Sequence, residues 1–120
     1  MNGIVDAGGR ALLDVELKPA EDGAVSIISA WIDTAFTGDL VLPTATIDKL
    51  ALPLSGTVGA TLADGSKIAM PAYACHIRWF DDWQHLEVVA SDAKYTLLGV
   101  GLLWDHELFI DYRACSVKLA

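Results

Sequence analysis

Hydrophobic and polar residues alternate along most of the 120-residue chain, a pattern typical of β-strands with one buried face. Leu13, Val15 and Leu17 alternate with acidic residues in this way. The segment 25–32 is almost entirely apolar and rich in β-branched residues, so it predicts a strand buried on both faces. Similar patterns predict further strands at residues 38–42, 57–62, 67–79, 86–90, 95–98, 108–111 and 115–119.

Two short helices and a turn are predicted between these strands. Thr44 is a suitable N-cap for a helix that ends near Leu50, and residues 99–104 predict a second short helix. Asp81-Asp82 predicts a turn between two long strands. The chain is therefore expected to be all-β, closed or sandwich-like, with about eight short strands.

The composition indicates one domain, over residues 1–120, with ample material for a core, since 53% of the residues are hydrophobic. Sixteen acidic residues against eight basic ones give a net charge of −8, which would repel nucleic acids and anionic membranes. The start of the chain lacks the pattern of a signal peptide, and no apolar stretch approaches the ~20 residues of a membrane helix. We therefore expect a cytoplasmic protein that binds neither nucleic acid nor membrane.

The chain has two cysteines, Cys75 and Cys115. A chain of this size folds without disulfides, so we expect both thiols to be reduced and buried, with a single disulfide as the alternative. Cys75 and His76 are neighbours on a predicted strand and therefore point to opposite faces, which disfavours a shared metal ion. His85 and His106 lie far apart in sequence, and no phosphate-binding glycine motif occurs, so we expect no metal and no cofactor.

Asp33 directly follows the apolar segment 25–32, where a carboxylate is costly unless it is hydrogen-bonded or the chain leaves the core. One interpretation is structural: Asp33 closes an Asx turn, which Thr37-Gly38 completes. The other is catalytic. From the residues alone the structural interpretation is favoured, because most Asp residues in turns are structural.

Three segments together resemble a known family. The segment 32–43, of sequence IDTAFTGDLVLP, resembles the active-site segment of small prokaryotic retropepsin-like aspartic proteases. The segment 97–103, LLGVGLL, resembles the stretch that precedes the helix of these proteins, and residues 108–112 resemble their closing strand. The matches follow the family's order over residues 10–119. Two positions depart from the family's pattern: Ala35 replaces the usual Gly, and Gly101 stands where Asp is frequent.

The resemblance implies a retropepsin-like barrel with one or two short helices, and an aspartic endopeptidase without a cofactor. The chain carries only one such motif, so a catalytic pair requires a homodimer with one Asp33 from each subunit across a twofold axis. Two adjacent carboxyl groups share one proton: the ionised member activates a water and the protonated member donates to the scissile carbonyl. Residues 108–119 and 10–17 are expected to form the dimer interface.

The resemblance also implies roles for other residues. Thr34, Ala35 and Gly99 would support the active site, and Thr34 would hydrogen-bond across the twofold axis. Ala63, Asp64 and Gly65 would lie in a flap that closes over a peptide or protein substrate. For the flap, a tight Asp-Gly turn without a binding role is the structural alternative.

Two other functions remain open from the sequence. The first is a non-catalytic homodimer of the same fold, in which Ala35 marks a relaxed site for peptide binding or assembly. The second is a subunit of a regulatory pair such as a toxin–antitoxin system, which would bind its partner through exposed sheet edges.

Overall fold

The computed structural model describes residues 1–61 and 64–120, which form ten β-strands and two short helices. In chain order the elements are β1 (Asn2–Val5), β2 (Ala11–Lys18), β3 (Ser26–Ile32), β4 (Leu40–Pro43), α1 (Thr44–Leu50), β5 (Leu54–Thr61), β6 (Lys67–Trp79), β7 (Asp82–Ser91), β8 (Thr96–Leu98), α2 (Val100–Leu103), β9 (Leu108–Asp111) and β10 (Ser116–Leu119). The expected all-β class is confirmed.

Six of the strands close into a barrel. The barrel order is β6-β7-β4-β8-β3-β2, and β2 pairs back onto β6 with Leu17 opposite Ile77. The pairs β3–β8 and β4–β7 are parallel, and the other pairs in the barrel are antiparallel. Alternate residues point inward, so that Leu13, Val15 and Leu17 are almost fully buried.

The chain termini form a sheet extension beyond β2, in the order β1-β10-β9. Its inner face carries the buried Val117 and Leu119. Its outer face carries Ile4 and Phe109, whose side chains are 59% and 55% exposed. β9 is the last strand on this side of the sheet, so its outer edge is unpaired in the described part of the chain.

The prediction of a strand buried on both faces at residues 25–32 is wrong. The strand runs over Ser26–Ile32 and alternates, with Ala30 and Ile32 buried and Ile27 67% exposed. The reason lies in the architecture: the barrel interior covers one face of β3, and nothing in the described chain covers Ile27. The apolar run at residues 25–32 therefore does not indicate that other elements cover both faces of the strand.

Three local predictions also need correction. The amino-terminal strand β1 was not predicted, because Asn2 and Gly3 weaken its pattern. Thr44 is the first helical residue instead of the cap, and its hydroxyl donates to the carbonyl of Ser91 at 3.3 Å. The turn between β6 and β7 is formed by Phe80 and Asp81, one residue earlier than expected.

The two cysteines have different environments. Both are free thiols; Cys75 is buried as expected, whereas Cys115 is exposed in the turn before β10. Burial raises the pKa of the Cys75 thiol to about 11. Neither helix in residues 1–61 and 64–120 has the length and apolarity needed to cross a membrane.

Candidate active site

Asp33 is the first residue after β3 and opens the loop of residues 33–39 that leads to β4. Its backbone N–H donates to the carbonyl of Leu98 at 2.9 Å, which extends the β3–β8 ladder by one residue. Its carbonyl accepts the N–H of Phe36 at 3.2 Å and closes a turn. The main chain of Asp33 is therefore fixed by the barrel, while its side chain stays partly exposed.

The carboxylate of Asp33 makes one local hydrogen bond. Its Oδ1 accepts the backbone N–H of Ala35 at 3.0 Å, as in the Asx turn of the structural interpretation. This bond also orients the carboxylate, so the structural and catalytic interpretations are compatible. Thr34 and Ala35 are exposed, and the φ of Ala35 lies outside the left-handed region, so an alanine fits this backbone without strain.

The start of α2 holds the loop of residues 33–39 in place. Three backbone N–H groups donate to loop carbonyls: Gly99 to Asp39 at 2.9 Å, Val100 to Phe36 at 2.8 Å and Gly101 to Gly38 at 3.0 Å. Gly99 is buried, and a Cβ there would overlap the carbonyl oxygen of Gly38. The loop and α2 can therefore approach this closely only because residue 99 has no side chain.

A cleft of about 830 Å³ lies beside this loop. Residues 35–41 line one side, and residues of strands β5, β6, β7 and β8 line the rest. Ala35, two residues after Asp33, is the first loop residue that lines the cleft. Asp33 is not among the lining residues, but its carboxylate accepts the N–H of Ala35, which is one of them. The cleft has space for a segment of extended peptide.

The hairpin of β5 and β6 covers one side of the cleft. Val58 and Met70 line the cleft, and the pairing continues to Thr61 opposite Lys67. Beyond them, Asp64 Oδ1 accepts the hydroxyl of Ser66 at 2.6 Å and its N–H at 2.9 Å.

Those two bonds lower the pKa of Asp64. Gly65 has φ +84°, so it supplies the left-handed conformation expected of the turn. Ala63, the remaining predicted flap residue, lies outside the described residues.

Two acidic residues of the cleft were not predicted from the sequence. Asp39 lines the cleft at the end of the loop and is partly buried, and loss of water contact raises the pKa of its carboxyl group. Glu87 lines the cleft from β7 and is exposed. Asp39 lies inside the segment that carries the family resemblance. Its burial depends on the contact with α2, and although the helix itself was predicted, no local pattern indicates that contact.

The other polar residues considered from the sequence lie outside this cleft. Cys75 points into the core, and the rings of His76 and His85 contact each other with centroids 5.3 Å apart on the outer face of β6 and β7. No three His, Cys, Asp or Glu side chains come together as a metal site within residues 1–61 and 64–120.

Comparisons with known proteins identify the fold. Neither a protein-family model nor a curated protein matches the chain. Among solved structures, a retropepsin-like aspartic protease from Rickettsia conorii has a TM-score of 0.70 at 16% identity, over 99% of this chain and 88% of that one. The EIAV protease in complex with the inhibitor HBY-793 has a TM-score of 0.56 at 18% identity, over 83% of this chain and 90% of that one. The chain therefore has a retropepsin-like fold.

Proposed function

We propose that this chain is an aspartic endopeptidase that acts as a homodimer, with one Asp33 from each subunit. The observation that carries the proposal is the placement of Asp33: a partly exposed carboxylate at the end of a barrel strand, hydrogen-bonded to Ala35, which lines a peptide-sized cleft. The retropepsin-like fold supports it, because the similar structures include aspartic proteases.

A second copy of the chain supplies the second carboxylate. The sequence contains one Asp-Thr motif of this kind, and two subunits related by a twofold axis bring the two Asp33 residues together. The outer face of β1 and β9, with the exposed Ile4 and Phe109, is a suitable interface. Residues 10–17 are less suitable, because β2 already pairs with β1, β3 and β6.

The reaction follows from one proton shared by the two carboxyl groups. The ionised Asp33 removes a proton from a water as its oxygen attacks the scissile carbonyl. The protonated Asp33 of the other subunit donates to the carbonyl oxygen, and proton transfer to the amine then releases the product. Thr34 and Gly99 hold the two loops in position, and the β5–β6 hairpin closes over the peptide. As expected from the sequence, the proposed protease acts in the cytoplasm.

Replacing Asp33 by Asn tests the proposal. The wild type is expected to cleave members of a fluorogenic peptide library between about pH 3 and pH 7, with an acidic optimum because the pair must keep one proton. Asp33→Asn should reduce the rate by about a thousandfold or more, since neither amide can act as base or acid. Asp22→Asn, an equal change of charge in an exposed turn, is the matched control and should cleave like the wild type.

Two outcomes would contradict the proposal. The first is an Asp33→Asn protein that keeps its peptidase activity after removal of host proteases. The second is a lack of activity in both the wild type and the Ala35→Gly variant. Cleavage that appears only in Ala35→Gly would support the carboxylate site and would show that the methyl group of Ala35 makes the wild type inactive.

A further inference from the structure

The cleft next to Asp33 is electrostatically one-sided. Its described lining consists of apolar, glycine and hydroxyl-bearing residues, two carboxylates from Asp39 and Glu87, and no Lys, Arg or His. A cleft of this kind lowers the energy of a cation and raises that of an anion at the same place. The net charge of −8 acts in the same direction.

Asp39 is the more strongly placed of the two carboxylates. Its side chain is partly buried at the end of the loop, where loss of water raises its pKa and no hydrogen bond or charge from the described residues offsets this effect. Its backbone carbonyl accepts the N–H of Gly99 at 2.9 Å, so the residue is fixed to the start of α2. Partial burial of a carboxylate without a hydrogen-bond partner is unfavourable. A cationic ligand that binds the carboxylate offsets this desolvation cost.

Gly101 provides the space for this carboxylate. A Cβ at residue 101 would overlap Oδ1 of Asp39, so the carboxylate lies where a side chain at 101 would otherwise stand. Asp39 and Gly101 therefore form one arrangement, in which the glycine lets the acid lie against α2 at the border of the cleft.

Glu87 lies on β7, the parallel neighbour of β4, which Asp39 precedes. Leu40 is in register with Val88, so the preceding residues, Asp39 and Glu87, stand at the same level of the two strands. Glu87 is exposed, so water screens its charge more than that of Asp39. We expect Glu87 to attract a cation to the cleft and Asp39 to bind it.

We propose that Asp39 determines the specificity of this cleft by binding the Lys or Arg side chain of a peptide that lies along it. The inference rests on the proposed function to the extent that the peptide is a substrate. It goes further by naming a basic substrate class and the residue that recognises it. An uncharged side chain at the same place would leave the Asp39 carboxylate desolvated and unpaired.

Matched peptides test this specificity. Peptides that differ only in Lys against norleucine, or Arg against citrulline, are compared at each position around the scissile bond. At the upper end of the active pH range, where the Asp39 carboxyl group is ionised, the wild type is expected to show a kcat/KM about tenfold or more higher for the charged member at one position. Asp39→Asn should bring this ratio close to one, Glu87→Gln should reduce it less, and the control Asp22→Asn should leave it unchanged.

A binding measurement separates this inference from the proposed function. Fluorescence anisotropy with the labelled Lys and norleucine peptides is carried out on Asp33→Asn, with and without Asp39→Asn. Stronger binding of the Lys peptide that is lost with Asp39→Asn supports the inference, even if no variant cleaves any peptide and the proposed function fails.

Three results would overturn the inference. The first is cleavage of norleucine and citrulline peptides as efficiently as of their charged partners at every position. The second is a preference for basic residues that survives Asp39→Asn. The third is a lack of any cleavage together with equal binding of the Lys and norleucine peptides.

Discussion

At the scale of single residues, the closure of the Asp33 loop against α2 depends on the missing side chain of Gly99. A Cβ there would overlap the carbonyl oxygen of Gly38 and lie 2.7 Å from that of Phe36, and backbone atoms cannot move aside as a flexible side chain can. Gly99→Ala is expected to lower the free energy of unfolding by about 2–3 kcal/mol in urea denaturation, as overpacking of a close contact does.

Gly59→Ala is the control for this prediction. A Cβ at residue 59 meets nothing within 4 Å, and Gly59 does not have a positive φ. The free energy of unfolding of Gly59→Ala should stay within about 0.5 kcal/mol of the wild-type value. Equal stability of Gly99→Ala and Gly59→Ala would show that the loop does not need the close approach to α2.

The burial of Asp39 should make stability depend on pH. Its pKa is raised in the folded state, so the unfolded chain ionises this carboxyl group more readily. The folded state carries no penalty at a pH below both pKa values, and it loses stability as the pH rises through them. Asp39→Asn removes this penalty, so it should stabilise the protein near neutral pH more than at low pH.

The expected gain for Asp39→Asn is below about 1 kcal/mol, because the carboxylate keeps part of its contact with water. Thermal unfolding of the wild type and Asp39→Asn at several pH values measures it, with Asp22→Asn as the control for a general change of charge. A stability difference between wild type and Asp39→Asn that is the same at every pH would contradict the prediction.

At the scale of elements, the β6–β7 hairpin has an unusual turn sequence. Trp79 pairs with Asp82, which leaves Phe80 and Asp81 as a two-residue turn with φ values of +49° and +70°. Turns of this kind prefer Asn-Gly, and the sequence offers Phe-Asp, so the pattern placed the turn one residue too late. The Phe80 ring stacks on His106 at 4.4 Å between centroids, a contact that supports the turn.

Substitutions at this turn should separate backbone strain from side-chain contacts. Asp81→Val is expected to destabilise the protein by about 1–2 kcal/mol, because a β-branched residue is disfavoured at positive φ. Asp81→Gly should be at least as stable as the wild type, because the ion pair of Asp81 with Arg78, at 3.7 Å, is exposed. Asp82→Val, one residue into the strand, is the control and should be nearly neutral.

The measurement is again the free energy of unfolding in urea. Similar losses for Asp81→Val and Asp82→Val would mean that the turn conformation does not determine hairpin stability.

Most of the elements follow from local patterns, and the exceptions have a common cause. β2 was predicted because its alternation records which face is buried. β3 was predicted to have two buried faces because its residues are almost all apolar. Apolar residues tolerate burial, but they do not indicate whether another element covers them. Thr44 was expected to be a cap because threonine is a common N-cap residue. In the structure its hydroxyl donates to the carbonyl of Ser91 instead and so joins α1 to β7.

At the scale of the whole molecule, the outer face of the terminal sheet predicts dimerisation. Ile4 and Phe109 are more than half exposed there, and both lie on one face because β10 links their rows through Ser116 and Lys118. The wild type is expected to sediment as a dimer at about 10⁻⁵ M, and its Tm should rise with protein concentration, because association stabilises only the folded state.

A matched pair of variants locates the interface. Phe109→Glu should give a monomer, because it places a charge within an apolar contact. Ile27→Glu changes an apolar residue on β3 that is even more exposed than Phe109, and it should leave the dimer intact. A monomeric wild type at this concentration, or equal effects of the two variants, would contradict the assignment.

The sequence by itself determined the all-β class, the order of most strands and the position of Asp33, because alternation and turn residues act over a few neighbouring positions. Only the tertiary structure decided which strand faces stay exposed, that Gly99 must lack a side chain, and that Asp39 loses water beside Gly101. Burial and close approach arise between segments that are distant in the chain. Asp39 is an ordinary loop acid until α2 packs against it, and that contact turns it into the residue that we propose selects a basic substrate.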